Sequence, residues 1–191
     1  MAHEKVVEES IVVRARPEAV YAALADPRMM TRWSPELFAV WMRRRRPAAT
    51  AGSADGGASP PGFGPGTTFT GFNRIGWRVW FTNARVTVAV PGQNFAFRVS
   101  SFGIPVSLWG YRMEDIGGGS TRLTEYWRDL RAEGRAGRFI TLLGSTFTGV
   151  DAGDRPDHNR EGMRATLERI RDAVEAAAGD AGADPSPAAG A

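Results

Sequence analysis

The stretch from Arg155 to Ala178, RPDHNREGMRATLERIRDAVEAAA, decides the fold, because it is the only long helical pattern in the chain. At 100° per residue Met163, Leu167, Ile170, Val174 and Ala177 fall in one stripe, while Arg164, Glu168, Arg171 and Glu175 lie opposite. The spacing predicts a one-sided helix roughly 33 Å long at about 1.5 Å per residue. An apolar stripe of that length needs an equally long surface to cover it. Asn159 and Thr166 share the stripe, so the face to be buried is partly polar near its N-terminal end.

Upstream of the helix the chain reads as strands. Gly66–Asn73, Trp77–Val90, Gln93–Ser101, Pro105–Ile116 and Ser120–Leu130 are separated by short Gly- and Pro-containing breaks, which predicts an antiparallel meander. Trp77–Val90 is long for a strand and is expected to curve around the helix. Lys5–Arg14 is a further strand. Pro17 then opens the short amphipathic helix EAVYAALAD, and a second short helix, RMMTRW, ends at Ser34-Pro35. Leu37–Arg44 reads as the next strand. Residues 46–65, rich in Gly, Ala, Ser and Pro, are expected to form a flexible loop that is either a lid or a plain insertion. The segment RFITLLGSTF fits either a short helix or a mobile connection. Residues 1–178 are expected to form one domain and 179–191 a disordered tail.

Composition narrows the classes of function. The chain has 191 residues and no cysteine, which excludes disulfides, thiolate metal sites and a cysteine nucleophile. A formal charge of only +3, with Lys5 the sole lysine, argues against a dedicated nucleic-acid binder. No apolar segment precedes the first strand, so the expectation is a soluble, cytoplasmic protein without stable membrane insertion. No phosphate-binding glycine motif, metal-ligand cluster or hydroxyl nucleophile with a recognisable partner stands out, so neither a cofactor nor a metal is expected.

The order is strand, two small helices, a long antiparallel run and one long C-terminal helix. With the segments SIVVRARPEAVYAALADPRMMTRWSPE, GTTFTGFNRIGWRVWFTNARVTVAVPGQNFAF, GSTRLTEYWRD and HNREGMRATLERIRDAVE, it resembles the START-like (SRPBCC) superfamily, particularly its bacterial polyketide cyclase/dehydrase and lipid-transport branch. The resemblance covers about Val6 to Glu175 and implies an α+β helix-grip fold. In that fold a curved antiparallel sheet of about seven strands wraps the C-terminal helix and encloses an apolar cavity. It also places Trp33, at the end of the second short helix, at the cavity mouth as a gate.

Strand alternation supplies candidate walls. One parity carries Trp80, Thr82, Ala84, Val86 and Val88, and the next strand carries Phe95, Phe97 and Val99. Trp109, Tyr111 and Met113 alternate with Ser107, Gly110 and Arg112. Leu123, Glu125, Trp127 and Asp129 alternate with Arg122, Thr124 and Arg128. Glu125 on an inward face is costly unless it is paired or neutral, and such a carboxyl can act as a general acid or base. The plainer reading pairs it with Arg112. Tyr111 and Asn159 could polarise a ligand carbonyl or could be satisfied core groups.

Of the remaining candidates, Trp33, Trp80, Phe97, Trp109 and Trp127 offer stacking surface, and Met163 and Leu167 offer apolar wall. Core packing accounts for many of these aromatics without a ligand. His158 fits a surface role, and the run Arg43–Arg46 could attract an acyl carrier protein or an anionic lipid, or simply be a solvated strand end. The combined expectation is a monomer or homodimer that binds a hydrophobic small molecule. It would act as a cofactor-independent cyclase or dehydratase in secondary metabolism, with Glu125 and Tyr111 moving protons. A non-catalytic lipid or terpenoid carrier or sensor is the alternative.

Overall fold

The computed structural model describes residues 6–42, 63–131 and 155–182. Strand β1 (Val6–Val13) leads into helix α1 (Pro17–Leu24), a 3-10 turn (Pro27–Met29) and the short helix α2 (Met30–Trp33). Then follow β2 (Leu37–Met42), β3 (Thr68–Ile75), β4 (Arg78–Val90), β5 (Asn94–Ser101), β6 (Ile104–Gly117), β7 (Ser120–Asp129) and helix α3 (Arg155–Gly182). The seven strands form one antiparallel sheet in the order β1-β7-β6-β5-β4-β3-β2. The meander is thus as expected, with β1 added beside β7. A long C-terminal helix on such a sheet, with short helices after the first strand, is the helix-grip fold.

Each element starts and stops for local reasons. Pro17 has no N–H to leave unsatisfied at the first turn of α1, and the Asp26 carboxylate accepts the Arg28 N–H to cap the 3-10 turn. Gly117, Gly118 and Gly119 all take positive φ in the β6–β7 turn, a conformation that only glycine enters without strain. Helix α3 runs through Gly182 rather than ending near Ala178. The alanine-rich run after Val174 favours helix strongly enough to carry Gly179, and the expected tail accordingly loses its first four residues to the helix.

The stripe on α3 is buried as read. Met163, Leu167, Ile170 and Val174 are in the core, and so are Asn159 and Thr166. Burying each of the four apolar side chains contributes about 1.5–3 kcal/mol. Ala177 is a correction: it is exposed, because α3 extends past the edge of the core that Val174 still touches. The stripe shares one core cluster with Val13, Leu123, Phe95 and Tyr111 of the sheet and Val20, Tyr21 and Leu24 of α1, with Tyr21 standing edge-on to Phe95. The face of the sheet turned to α3 is its inner face.

Two parity assignments are corrected. A bulge between Val86 and Val88 shifts the register, so Val88 pairs with Ala96 on the outer face while Ala89 pairs with Phe95 and packs on the core. Ser107 is buried on the inner face, in register with Val99 and Asp129, rather than outward. The Arg43–Arg46 run, most of the 46–65 loop and the RFITLLGSTF segment lie outside the described residues.

Candidate functional site

Cross-strand register gathers the candidate residues into two neighbouring rows on the inner face. One row runs Val7, Trp127, Trp109, Phe97 and Val86 across β1, β7, β6, β5 and β4. The next runs Glu9, Glu125, Tyr111, Phe95 and Ala89. Three aromatic rings therefore stand beside a row holding two carboxyl groups and a phenol. Met163 of α3 packs against Val7 and Trp127 with Trp109 alongside, and Leu167 joins the main core one turn further on.

At the centre, the Tyr111 hydroxyl donates to Glu125 Oε1 at 3.0 Å, and both side chains are almost fully buried. Burial pushes the Glu125 carboxyl from an ordinary 4.5 up to about 8, and the hydrogen bond from Tyr111 opposes this only in part. The Tyr111 phenol is itself raised well above its usual range by burial, and then by the charge and hydrogen bond of Glu125. At neutral pH the pair is therefore a carboxylic acid beside a phenol. Glu125 Oε2 and Asn159 Nδ2 are buried without a hydrogen-bond partner. An unpartnered buried polar atom costs about 1–3 kcal/mol, so each of these two atoms, one on β7 and one on α3, calls for a bonding partner such as a buried water or a ligand.

The ion pair that would have made Glu125 structural does not form. Arg112 points to the outer face and pairs with Glu8 at 2.7 Å. Asp129, on the same parity as Glu125, is held by Arg131 two residues on. Glu9, directly across from Glu125 on β1, is held by Arg164 of α3 at 3.0 Å. That second inward carboxylate was not among the sequence candidates, although it alternates with Val7, Ile11 and Val13 in VVEESIVV.

The remaining candidates are dispersed. Trp80 is half-buried on the inner parity opposite Asn73, but six residues along β4 from Val86, roughly 20 Å from the aromatic row. Trp33 is buried at the end of α2, with its indole N–H donating to Ala23 O at 3.1 Å and its own carbonyl accepting from Arg169 at 3.0 Å. His158 bonds Glu36 at 2.7 Å and ties α3 to the α2–β2 connection. Among the described residues no group of three or more His, Cys, Asp or Glu side chains could hold a metal, and no helix is long and apolar enough to cross a membrane. A groove of about 500 Å³ lies around Trp41, Thr68, Thr70, Asn83, Arg85 and Ser100, residues that alternate with the inner-face rows.

A family model described as polyketide cyclase / dehydrase and lipid transport matches residues 4–175. The chain belongs to this family. Among solved structures it is similar to a Polyketide_cyc-like protein, Cgl2372, from Corynebacterium glutamicum, with 24% identity, 97% of this chain and 100% of that one covered, and a TM-score of 0.56. It is also similar to the Zhui aromatase/cyclase from Streptomyces sp. R1128, at 19% identity over 99% and 100% of the two chains and a TM-score of 0.51. The di-domain aromatase/cyclase StfQ of the steffimycin biosynthetic pathway aligns at 13% identity over 91% of this chain, which spans about half the length of StfQ, with a TM-score of 0.62. At these identities the likeness carries the fold. No curated protein sequence matches the chain.

Proposed function

We propose that the protein binds a polyketide or related aromatic metabolite against the Trp127–Trp109–Phe97 row and acts on it as a cofactor-independent cyclase or dehydratase. The observation that carries this reading is the buried Tyr111–Glu125 pair, whose second carboxyl oxygen has no partner. A neutral carboxylic acid in a dry site can give its Oε2 proton to the hydroxyl leaving a β-hydroxy ketone. The C–O bond breaks, water departs, and the resulting carboxylate takes the α-proton as the C=C bond forms, which restores the acid. Tyr111 orients the carboxyl through Oε1 and stabilises it in its charged interval. Asn159, with a donor to spare, suits a carbonyl oxygen on the α3 side. Half-buried Phe97 and Trp109 supply flat apolar surface next to this chemistry. An acyl carrier protein is the partner that would deliver a tethered chain.

The test is binding and turnover together. Native mass spectrometry and tryptophan fluorescence against polyketides, polycyclic aromatics and fatty acids identify a ligand, and product analysis follows its fate. Glu125→Gln keeps the shape of the neutral acid but cannot cycle a proton, so it should bind and not convert. The same family description covers lipid transport, and a ligand that binds wild-type protein and returns unchanged would replace the enzymatic reading with a carrier.

A further inference from the structure

The outer face of β2–β5 is unlike the rest of the surface. It exposes Phe38, Trp41, Val79 and Phe81, and at two hairpin tips Trp77 (84%) and Phe102 (67%). Most of these touch or adjoin one another: Phe72 pairs with Phe81 across β3 and β4, Phe38 lies 6.5 Å from Phe72, and Phe81 lies 6.2 Å from Phe102. The β3–β4 and β5–β6 tips therefore present aromatic rings at one end of the sheet. Contiguous exposed apolar surface of this kind marks an interaction site.

Charge on this face and at its β3–β4 tip has one sign. From Phe63 to Met113 the chain carries Arg74, Arg78, Arg85, Arg98 and Arg112 and no acidic residue. Arg112 is neutralised by Glu8 beyond the β6–β7 part of the sheet, whereas Arg74, Arg78, Arg85 and Arg98 have no ion pair among the described residues. Arg74 and Arg78 stack over Phe38 and Trp77. Arg85 and Arg98 are direct cross-strand partners on β4 and β5, so two like charges sit side by side with no counterion among the described residues. Such a pair is destabilising by itself and calls for an anion from outside. The groove beside it adds Thr68, Thr70, Asn83 and Ser100, small polar groups suited to phosphate oxygens.

The β5–β6 tip gives an independent indication. Phe102 has φ of 50° and is followed by Gly103 at 81°, two consecutive left-handed residues of a tight hairpin turn. Gly serves there without strain and Asn or Asp with little, and a bulky ring at positive φ is an outlier that persists where function needs the side chain. The ring makes no core contact in return for that strain, since it projects into solvent.

We infer that this face docks on an anionic phospholipid bilayer, with Trp77, Phe102 and Phe81 entering the interface and Arg85 and Arg98 meeting lipid phosphate. Phe81 and Arg85 are four residues apart, roughly 13 Å along β4, which separates an inserting end from a phosphate-contacting one. Aromatic rings backed by arginine suit the boundary between acyl chains and headgroups. An acidic carrier protein would use the arginines but gives no role to rings on two separate hairpin tips.

The experiment is co-sedimentation of the full chain with vesicles of phosphatidylcholine alone and of phosphatidylcholine mixed with phosphatidylglycerol, at low and high salt. Binding to the mixed vesicles only, weakened by salt, is expected. Arg85→Gln and Arg98→Gln should each reduce partitioning about fivefold, corresponding to roughly 1 kcal/mol per charge near the surface. Phe102→Asn should raise the melting temperature by relieving the turn, yet reduce vesicle binding several-fold, so loss of binding cannot be put down to misfolding. Equal binding to both vesicle types, no binding to either, or unchanged binding by Phe102→Asn and the two arginine variants would each overturn the inference. Capture by an acidic carrier protein with no vesicle binding would do the same.

Discussion

The carboxyl of Glu125 should leave a signature in stability that the rest of the molecule does not mask. In the unfolded chain it ionises near 4.5, and in the folded protein near 8. Between those values the folded state holds a proton that the unfolded state has lost, so stability falls as pH rises, by about 1.4 kcal/mol per unit. Over the whole window the loss is on the order of 5 kcal/mol, after which stability levels off. Glu125→Gln mimics the neutral acid and carries no such proton, so wild type and variant should be similar near pH 5 and diverge towards pH 8.5, with the variant the more stable. At a urea slope of about 2 kcal/mol per molar, the midpoints would differ by roughly 2 M. The lowered carboxyls act in a different window: burial opposes it, but the Arg28 hydrogen bonds and charge hold Asp26 below its usual range, and hydrogen bonds from Arg14 lower Glu175. Their stabilisation is present above the ordinary carboxylate range and is lost in acid, below the interval in which Glu125 titrates. Urea melts of both proteins from pH 5 to 9 measure the difference directly. Parallel profiles would mean that Glu125 ionises as an ordinary surface carboxyl, and the proposed acid would have no basis.

Four other outcomes are open to measurement. Asn159→Leu removes a buried donor that has no partner, so thermal melting should show equal or higher stability while affinity for the ligand found in the binding panel falls at least tenfold, by about 1.4 kcal/mol or more. Gly110→Ala should destabilise by about 1–3 kcal/mol in urea unfolding, because a methyl there would lie 2.4 Å from the Tyr126 ring on the outer face. Combined with Tyr126→Ala, that loss should be less than additive. Ile170→Ala, fully buried where α3 meets the core, should cost about 2–5 kcal/mol in the same assay. Trp33→Phe should cost about 1 kcal/mol by leaving the Ala23 carbonyl without its indole donor.

Periodicity made much of this site legible. A helix stripe holding Met163, Leu167 and Ile170 had to be buried, and Asn159 within it had to be buried too. Alternation placed Glu125 and Tyr111 inward, and the same alternation places Arg112 outward, which already removes the partner that would have neutralised Glu125. What alternation cannot show is a change of register. The Val86–Val88 bulge inserts one residue, turns Val88 outward and leaves no mark in a run of valines. Nor does it show which strands become neighbours: that β1 closes on β7, bringing Glu9 opposite Glu125 and under Arg164, depends on tertiary pairing between residues more than a hundred positions apart.

The outer face was hidden for another reason. Counting six tryptophans and ten phenylalanines suggests a stacked interior, yet Trp41, Phe38 and Phe81 sit on the parity opposite the core and Trp77 and Phe102 sit in turns. Averaging charge over the whole chain gives +3 and conceals an acid-free run between Phe63 and Met113, because the acidic residues lie outside it: Glu175 and Glu9 pair with Arg14 and Arg164 of the terminal elements, and among the described residues only Glu8 reaches an arginine of the run, Arg112. A sheet has two faces with separate chemistry, and here they divide the aromatic residues between them. Trp127, Trp109 and Phe97 line the side that α3 covers, beside a carboxyl kept neutral by burial. The rings on the other side stand among Arg74, Arg85 and Arg98, which have no ion pair among the described residues, and that is the charge an anionic lipid surface would meet.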